Sequence, residues 1–181
     1  KSLVGESVEK PELYEKVNVG GSKALIAKMN EHGISKIVLS STAATYGEPK
    51  RVPISETDEP APKNPYGATK LEIDRMVAQS GFSAISLRYF NVAGAKIGGG
   101  LGQATPNATQ LVKLAAETAC GKRPSLSLFG TDYPTPDGTC VRDYIHVDDL
   151  VEGIYRLLLS PDGQTLVSCS DDATAMTWSA K

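Results

Sequence analysis

Apolar positions along the chain fall into stripes of helical period separated by short continuous runs. From Glu12 to His32 the spacing predicts a helix, with Leu25, Ile26 and Met29 on one face and Gly33 just past its end. Gly20 and Gly21 lie inside it, each costing about 1 kcal/mol against Ala. Close approach by a neighbouring element or ligand would account for them, and so would a loose helix end. The run Lys36-Ile37-Val38-Leu39-Ser40 predicts a strand buried on both faces, as in a parallel sheet. Residues 47–65 hold Pro49, Pro53, Pro60, Pro62 and Pro65 and predict an extended loop. Asn64 reads as an N-cap with Pro65 at the first helical position, starting a helix from Tyr66 to about Ser80 that stops at Gly81.

A second strand is predicted over Ala84 to Phe90, followed by a glycine-rich loop from Gly94 to Gly102. A helix over Asn107 to Cys120 places Leu111, Leu114, Ala115 and Thr118 on one stripe. A short strand is expected over Leu126 to Phe129. A helix is expected over Val147 to Leu159, with Leu150, Ile154, Leu157 and Leu158 facing inward. Strands alternating with helices imply an α/β fold with a mostly parallel sheet. Beyond Leu159 the pattern changes. Ser160-Pro161-Asp162-Gly163 and Asp171-Asp172 mark turns flanking strands over Thr165 to Ser170 and Ala173 to Trp178, which makes a β-hairpin. The chain therefore divides into an α/β region, 1–159, and a hairpin tail, 160–181.

Composition narrows the classes. Hydrophobic residues at 40% and charged residues at 22% of 181 suit a soluble globular domain with a sizeable core. A net charge of −2 gives no general attraction to nucleic acid or an anionic membrane, so any nucleotide needs a specific site. Cys120, Cys140 and Cys169 are scattered, which argues against a disulfide framework or a zinc site and for a reducing, cytoplasmic setting. No apolar run reaches membrane-spanning length, and Lys1-Ser2-Leu3-Val4-Gly5 is not a signal peptide. A start at Lys1 rather than Met hints at a longer parent.

The strongest chemical signal is Tyr66-Gly67-Ala68-Thr69-Lys70. A four-residue step puts Tyr66 and Lys70 on one helix face, one turn apart. An ammonium beside a phenol favours the phenolate and lowers a pKa normally near 10, which makes tyrosine a usable base. Ile73 and Val77 continue the stripe, so it should face the protein. Ser40-Ser41-Thr42 follows the first strand, at the carboxyl end where open α/β sheets gather ligands. Thr42 can reach a substrate hydroxyl or the tyrosine oxygen, or it can bond its own turn.

Other features carry less. Gly98-Gly99-Gly100-Leu101-Gly102 lacks the third glycine and the strand–turn–helix of a dinucleotide fingerprint. His146 with Asp148 and Asp149 has no second ligand cluster, so no metal site is expected; the two aspartates suit the start of a helix. His32, at a helix end, is read as structural.

Ser40-Ser41-Thr42-Ala43-Ala44-Thr45-Tyr46-Gly47, Asn64-Pro65-Tyr66-Gly67-Ala68-Thr69-Lys70 and Leu87-Arg88-Tyr89-Phe90-Asn91-Val92-Ala93-Gly94-Ala95 resemble the extended short-chain dehydrogenase/reductases. The stretch from Phe129-Gly130-Thr131-Asp132 to Val141-Arg142-Asp143-Tyr144-Ile145-His146-Val147 resembles the UDP-glucose 4-epimerase branch of that family, and the likeness covers residues 1–159. The resemblance implies a partial Rossmann-like, doubly wound sheet, a bound NAD, a UDP-hexose substrate and reversible oxidation at the sugar C4.

Under that resemblance Tyr66 takes the proton from the 4-hydroxyl, and Lys70 holds the tyrosine acidic and binds the cofactor ribose. Thr42 fills a place usually given to Ser or Thr. Asn18, Ser40, Ser41, Tyr89 and Phe90 match cofactor-lining positions. Asn91, Gln110 and Phe129 match substrate contacts, and Arg142 matches a partner of the UDP phosphates. From residues alone Arg142 could equally form a structural ion pair with Asp143 or a neighbour. The resemblance also implies a homodimer through helices that include the Tyr–Lys one.

Two departures from the family stand out. Residues 1–35 contain no G-x-x-G-x-x-G turn of the kind that holds a pyrophosphate at a helix N-terminus. The central strands that should pair beside Ile37 to Leu39 are likewise not supplied. Residues 160–178 instead resemble part of a WD40 repeat, far short of the roughly 40 residues of one blade. Two functions follow: a UDP-hexose epimerase that needs its other half, or a non-catalytic remnant that binds partners through an exposed sheet edge or the hairpin. Cofactor retention separates them. A nucleotide-sugar dehydratase fits less well, because no acidic residue directly follows Thr42.

Overall fold

Every backbone amide that leaves water needs a partner, and the first ninety residues meet that need with helices around a short parallel ladder. The computed structural model describes residues 1–106, 108–156, 158–159, 165–169 and 175–179. Two compact units emerge, one of residues 1–89 with 158–181 and one of residues 90–157.

In the first unit, α1 (Val4–Glu9) and α2 (Pro11–Tyr14) lead into a π-helical stretch, Glu15–Gly20, and then α3 (Gly21–Glu31). The helix expected from Glu12 is therefore one continuous rod with a widened turn in its middle. Gly20 and Gly21 sit where that widened turn ends, and a Cβ on Gly21 would meet nothing within 4 Å. The glycines ease a change of helical pitch and do not mark a close approach. Tyr14 is fully buried and ties the start of the chain down: its hydroxyl lies 2.7 Å from Leu3 O, 2.9 Å from Glu6 Oε2, and accepts from Leu3 N at 2.9 Å.

Strand β1 (Lys36–Ser40) pairs in parallel with β2 (Ser83–Leu87), Ile37 opposite Ala84 and Ser40 opposite Leu87. The crossover between them is α4 (Pro65–Gln79), preceded by a 3₁₀ turn, Ala43–Thr45. Asn64 caps α4 as its sequence predicts: its Oδ1 accepts from Gly67 N at 2.8 Å, and Pro65 opens the first turn. α4 packs on α1, α2, the π-helical stretch and the 3₁₀ turn, with Leu71, Ile73 and Val77 in the core. Val38, expected to be buried on a two-faced sheet, is 47% exposed. The ladder has only two strands among the described residues, and each outer edge is unpaired there.

β2 stops at Leu87, three residues short of expectation, although Ser41 N still bonds Leu87 O at 2.9 Å and Ala43 N bonds Tyr89 O at 3.2 Å. The second unit takes the chain from Phe90. Its β3 (Asn91–Ala93) pairs in parallel with β4 (Tyr144–His146), Asn91 opposite Tyr144. α5 (Leu111–Ala119) starts four residues later than the expected Asn107, which is outside the described residues. Residues 126–129 form no strand, and Leu128 and Phe129 are largely exposed. α6 (Val147–Arg156) begins with Asp148 and Asp149 in its first turn, but Ile154, expected to face inward, is 40% exposed.

Leu158 and Leu159, expected to end that last helix, form β5 (Leu158–Leu159). β5 pairs antiparallel with β6 (Thr165–Cys169), and β6 with β7 (Ala175–Ser179), which gives the predicted hairpin one additional strand. The predicted turns at 160–163 and 171–172 are outside the described residues.

Candidate active site

The site is built where β1 ends. Ser40 closes the strand, Ser41 is pulled under the ladder by its bond to Leu87 O, and Thr42 caps the 3₁₀ turn by accepting from Ala44 N at 3.2 Å. That turn bears directly on α4. A Cβ on Gly67 would lie 2.7 Å from Ala44 O and 3.2 Å from Ala44 C, so only glycine lets the first turn of α4 come this close. Tyr66 and Lys70 are carried against the end of β1 by that approach.

The Thr42 hydroxyl hydrogen-bonds the Tyr66 phenol. Thr42 thus caps its own turn and meets the tyrosine. Lys70 donates from Nζ to Ser40 O at 2.9 Å, and the Tyr89 hydroxyl is bonded to Ser40 Oγ. Ser40, Thr42, Tyr66, Lys70 and Tyr89 are thus gathered at one strand end by direct contacts. Ser41 is adjacent but 2% exposed, and its Oγ has no hydrogen-bond partner among the described residues.

Electrostatics here differ from the sequence expectation. Burial pushes the Tyr66 phenol above its usual value, the Thr42 hydrogen bond pulls it back, and the neighbouring Tyr89 raises it further. The Lys70 ammonium is turned to Ser40 O. Burial lowers the Lys70 pKa, and the Asp74 carboxylate one turn further along α4 opposes that shift.

Asn18, on the π-helical stretch, is 9% exposed. Its Oδ1 accepts from the Lys1 amino group at 2.9 Å, and its Nδ2 donates to Lys1 O at 3.1 Å and Thr69 Oγ1 at 3.3 Å. Thr69 in turn donates to Tyr66 O at 2.9 Å, so Asn18 supports the first turns of α4.

In the second unit Phe90 and Asn91 are exposed, with Asn91 Nδ2 donating to Asp143 O at 3.1 Å. Arg142 is exposed and its Nη1 donates to Val141 O at 2.9 Å. Gln110 Oε1 accepts from Gln103 Nε2 at 2.8 Å, and Phe129 is 84% exposed. These residues belong to the second unit. Among the described residues no group of three or more His, Cys, Asp or Glu is placed to share a metal ion.

One cluster was missed by sequence reasoning. Arg88, just past β2, donates from Nε to Asp74 Oδ2 at 3.0 Å and from Nη1 to the Tyr46 hydroxyl at 2.8 Å, with its guanidinium 5.0 Å from the centre of the Tyr46 ring. The available signal was an acid four residues beyond Lys70 on a stripe otherwise apolar.

A profile described as "NAD dependent epimerase/dehydratase family" matches residues 1–167. The UDP-glucose 4-epimerase of Azospirillum brasilense is 49% identical over 174 residues, which is 92% of this chain and 50% of that protein. The one from Streptomyces lividans is 52% identical over 155 residues, 83% of this chain and 46% of its own length. Among solved structures, UDP-glucose 4-epimerase from Brucella ovis in complex with NAD superposes with a TM-score of 0.80 at 44% identity, over 84% of this chain and 48% of that one. The Bifidobacterium longum enzyme in complex with NAD⁺ and UDP gives 0.83 at 38% identity, over 86% and 49%. The chain spans about half the length of the curated relatives it matches. Its fold is that of the Rossmann-like extended short-chain dehydrogenase/reductases.

Proposed function

From a chain that belongs to the NAD-dependent epimerase/dehydratase family, we propose the catalytic part of a UDP-glucose 4-epimerase, which interconverts UDP-glucose and UDP-galactose. The observation that carries this reading is the assembly of Tyr66, Thr42, Lys70 and Ser40 at the carboxyl end of β1. The relatives' names supply the substrate class and the pairing with NAD.

The donor set suits the ribose–nicotinamide end of that cofactor. The Lys70 ammonium has three donors and gives one to Ser40 O, which leaves two for ribose hydroxyls. NAD, when bound, supplies the acceptor and donor of hydride for reversible oxidation at the sugar C4. Tyr66 takes the proton from the 4-hydroxyl on oxidation and returns it on reduction. Thr42, already bonded to the phenol, holds its oxygen in place and stabilises the phenolate. Because burial holds Tyr66 neutral in the structure, the phenolate requires a change in its surroundings, and Lys70 is the cation within reach on the same helix face.

Asn91, Gln110 and Phe129 are assigned to the substrate, and Arg142 to its diphosphate through its charge and fork of donors. Asn18, Ser41, Tyr89 and Phe90 are assigned to the cofactor. The enzyme is placed in galactose metabolism in the cytoplasm as a homodimer. Among the described residues no helix is long and apolar enough to cross a membrane.

A second reading has one observation in its favour. The chain spans about half the length of its relatives, so turnover can depend on a complementing half, and alone the chain would bind partners through its sheet edge. Conversion of UDP-galactose to UDP-glucose with added NAD⁺ separates the two. Turnover that drops about 10²- to 10⁴-fold in Tyr66→Phe supports the epimerase. Turnover insensitive to that change would sink it, and a folded chain that neither turns over nor retains NAD supports the second reading.

A further inference from the structure

Three chain segments meet at the candidate site: the 3₁₀ turn after β1 brings Thr42, α4 brings Tyr66 and Lys70, and the stretch after β2 brings Tyr89. One charged cluster joins the same three segments from beneath. Asp74 lies on α4 one turn beyond Lys70, Arg88 directly precedes Tyr89, and Tyr46 ends the turn that Thr42 begins. Arg88 bridges the other two, at 3.0 Å to Asp74 Oδ2 and 2.8 Å to the Tyr46 hydroxyl. Asp74 and Tyr46 are both buried.

A pair whose only task was to neutralise charge would use both carboxylate oxygens. Here Asp74 Oδ1 is buried and has no hydrogen-bond partner among the described residues, so Arg88 leaves part of the negative charge unanswered. An isolated carboxylate buried in this way is costly, and a packed apolar residue would serve a merely structural role at least as well. The i, i+4 step places Asp74 one turn from Lys70 on the same face of α4.

We infer that Asp74 is a positioning residue for the Tyr66–Lys70 pair, its carboxylate fixed by Arg88 and Tyr46 so that it holds the half-buried Lys70 as a cation aimed at the end of β1. Arg88 is engaged by Asp74, and Tyr66 and Tyr89 are phenols, so Asp74 is the charge that acts on Lys70 against its burial. Asp74 and Tyr46 are buried, and the three act through Lys70 and its helix. Their work is to keep Lys70 charged and its helix in register with Thr42.

The inference rests on the Tyr66–Lys70 reading proposed above, and its test needs neither cofactor nor turnover. The whole chain is labelled with ¹³C,¹⁵N-lysine, the Lys70 side-chain resonance is assigned with Lys70→Arg, and its titration is followed by NMR. Asp74→Asn keeps a carbonyl for Arg88 and removes the charge; the Lys70 midpoint is expected to fall by about one pH unit. Asp74→Glu restores the charge and most of the midpoint. A midpoint unmoved in Asp74→Asn, or as low in Asp74→Glu, overturns the proposal. Should Asp74→Asn lose its near-UV circular dichroism, the deciding variant is Arg88→Gln, in which Asp74 keeps its charge and loses its counter-ion. Lys70 then titrates higher than in the parent chain, and an unchanged or lower midpoint overturns the proposal. A chain that never converts UDP-galactose can still meet these expectations, and an active one can still fail them.

Discussion

Lys70 donates to the main-chain carbonyl of Ser40 at 2.9 Å, one turn beyond Tyr66 on the same helix. The residue expected to sharpen the base thus ties α4 to the end of β1. A half-buried ammonium held this way has a folded-state pKa below its unfolded value. The stability linked to it is present above the unfolded value, near 10.4, and is lost as pH falls through the depressed folded value. Lys70→Met should therefore remove an alkaline gain in stability that the parent chain shows. Urea midpoints compared from pH 8 to pH 10.5 check this; parallel curves for the two chains would refute it.

Tyr66 has the opposite sign. Its folded pKa is raised by burial, so its contribution is complete below about 10 and is lost as pH rises through the folded value. Absorbance titration at 295 nm should show two phenols of the parent chain, Tyr66 and the buried Tyr14, ionising later than the rest, and Tyr66→Phe should keep only one of them. Two late phenols in Tyr66→Phe would refute the assignment.

Gly67 fixes how near α4 comes to the Thr42 turn. Gly67→Ala puts a methyl 2.7 Å from Ala44 O, a backbone atom that cannot swing aside. The strain should cost about 1–3 kcal/mol, seen as a lower urea midpoint with an unchanged m-value. It should also separate Tyr66 from Thr42. Full stability in the variant would mean that α4 and the turn are not held at this spacing.

Asn64→Ala removes the cap that accepts from Gly67 N, and should cost about 1 kcal/mol. Asn64→Asp keeps the acceptor and should recover it. Thermal unfolding of the three chains decides the point, since a shift of roughly 2–4 °C per kcal/mol is readily measured at this size.

At acid pH the loop before α4 should loosen first. Arg51 and the Ser55 amide hold Asp58 below the usual carboxylate range. A depressed folded pKa means stability that is present above about 4 and lost as pH falls through the folded value. Asp58→Asn should flatten that part of the acid limb, although Arg51 is well exposed and the effect is modest. Amide exchange across residues 51–58 between pH 5 and pH 2.5 would show it, and an identical acid limb in the variant would rule it out.

Legibility in the sequence followed the range of the forces involved. Asn64-Pro65 and the apolar run at 36–40 act locally, and the cap and strand lie where their residues place them. The end of β2 depends on which strand lies beside it, information that Ala84 to Phe90 do not contain, so three residues drop out of the expected strand. Leu126 to Phe129 looked like a strand by composition, but among the described residues no strand pairs there and the segment stays irregular. Leu158 and Leu159 carry a helical stripe that pairing with β6 overrides. At the site, the i, i+4 step revealed Tyr66 with Lys70, while the Arg88–Asp74–Tyr46 link joins residues 42 positions apart and no local pattern shows it.

The ladder of β1 and β2 has a further bearing on how the protein behaves in solution. With two strands among the described residues, it presents a line of outward-facing amides and carbonyls along β1, beside a Val38 that is 47% exposed. Backbone groups of this kind are the ones with which an added strand pairs. A segment that paired there would bind the folded form alone and so raise its unfolding midpoint by mass action. The measured stability of the chain would then depend on what shares the solution with it.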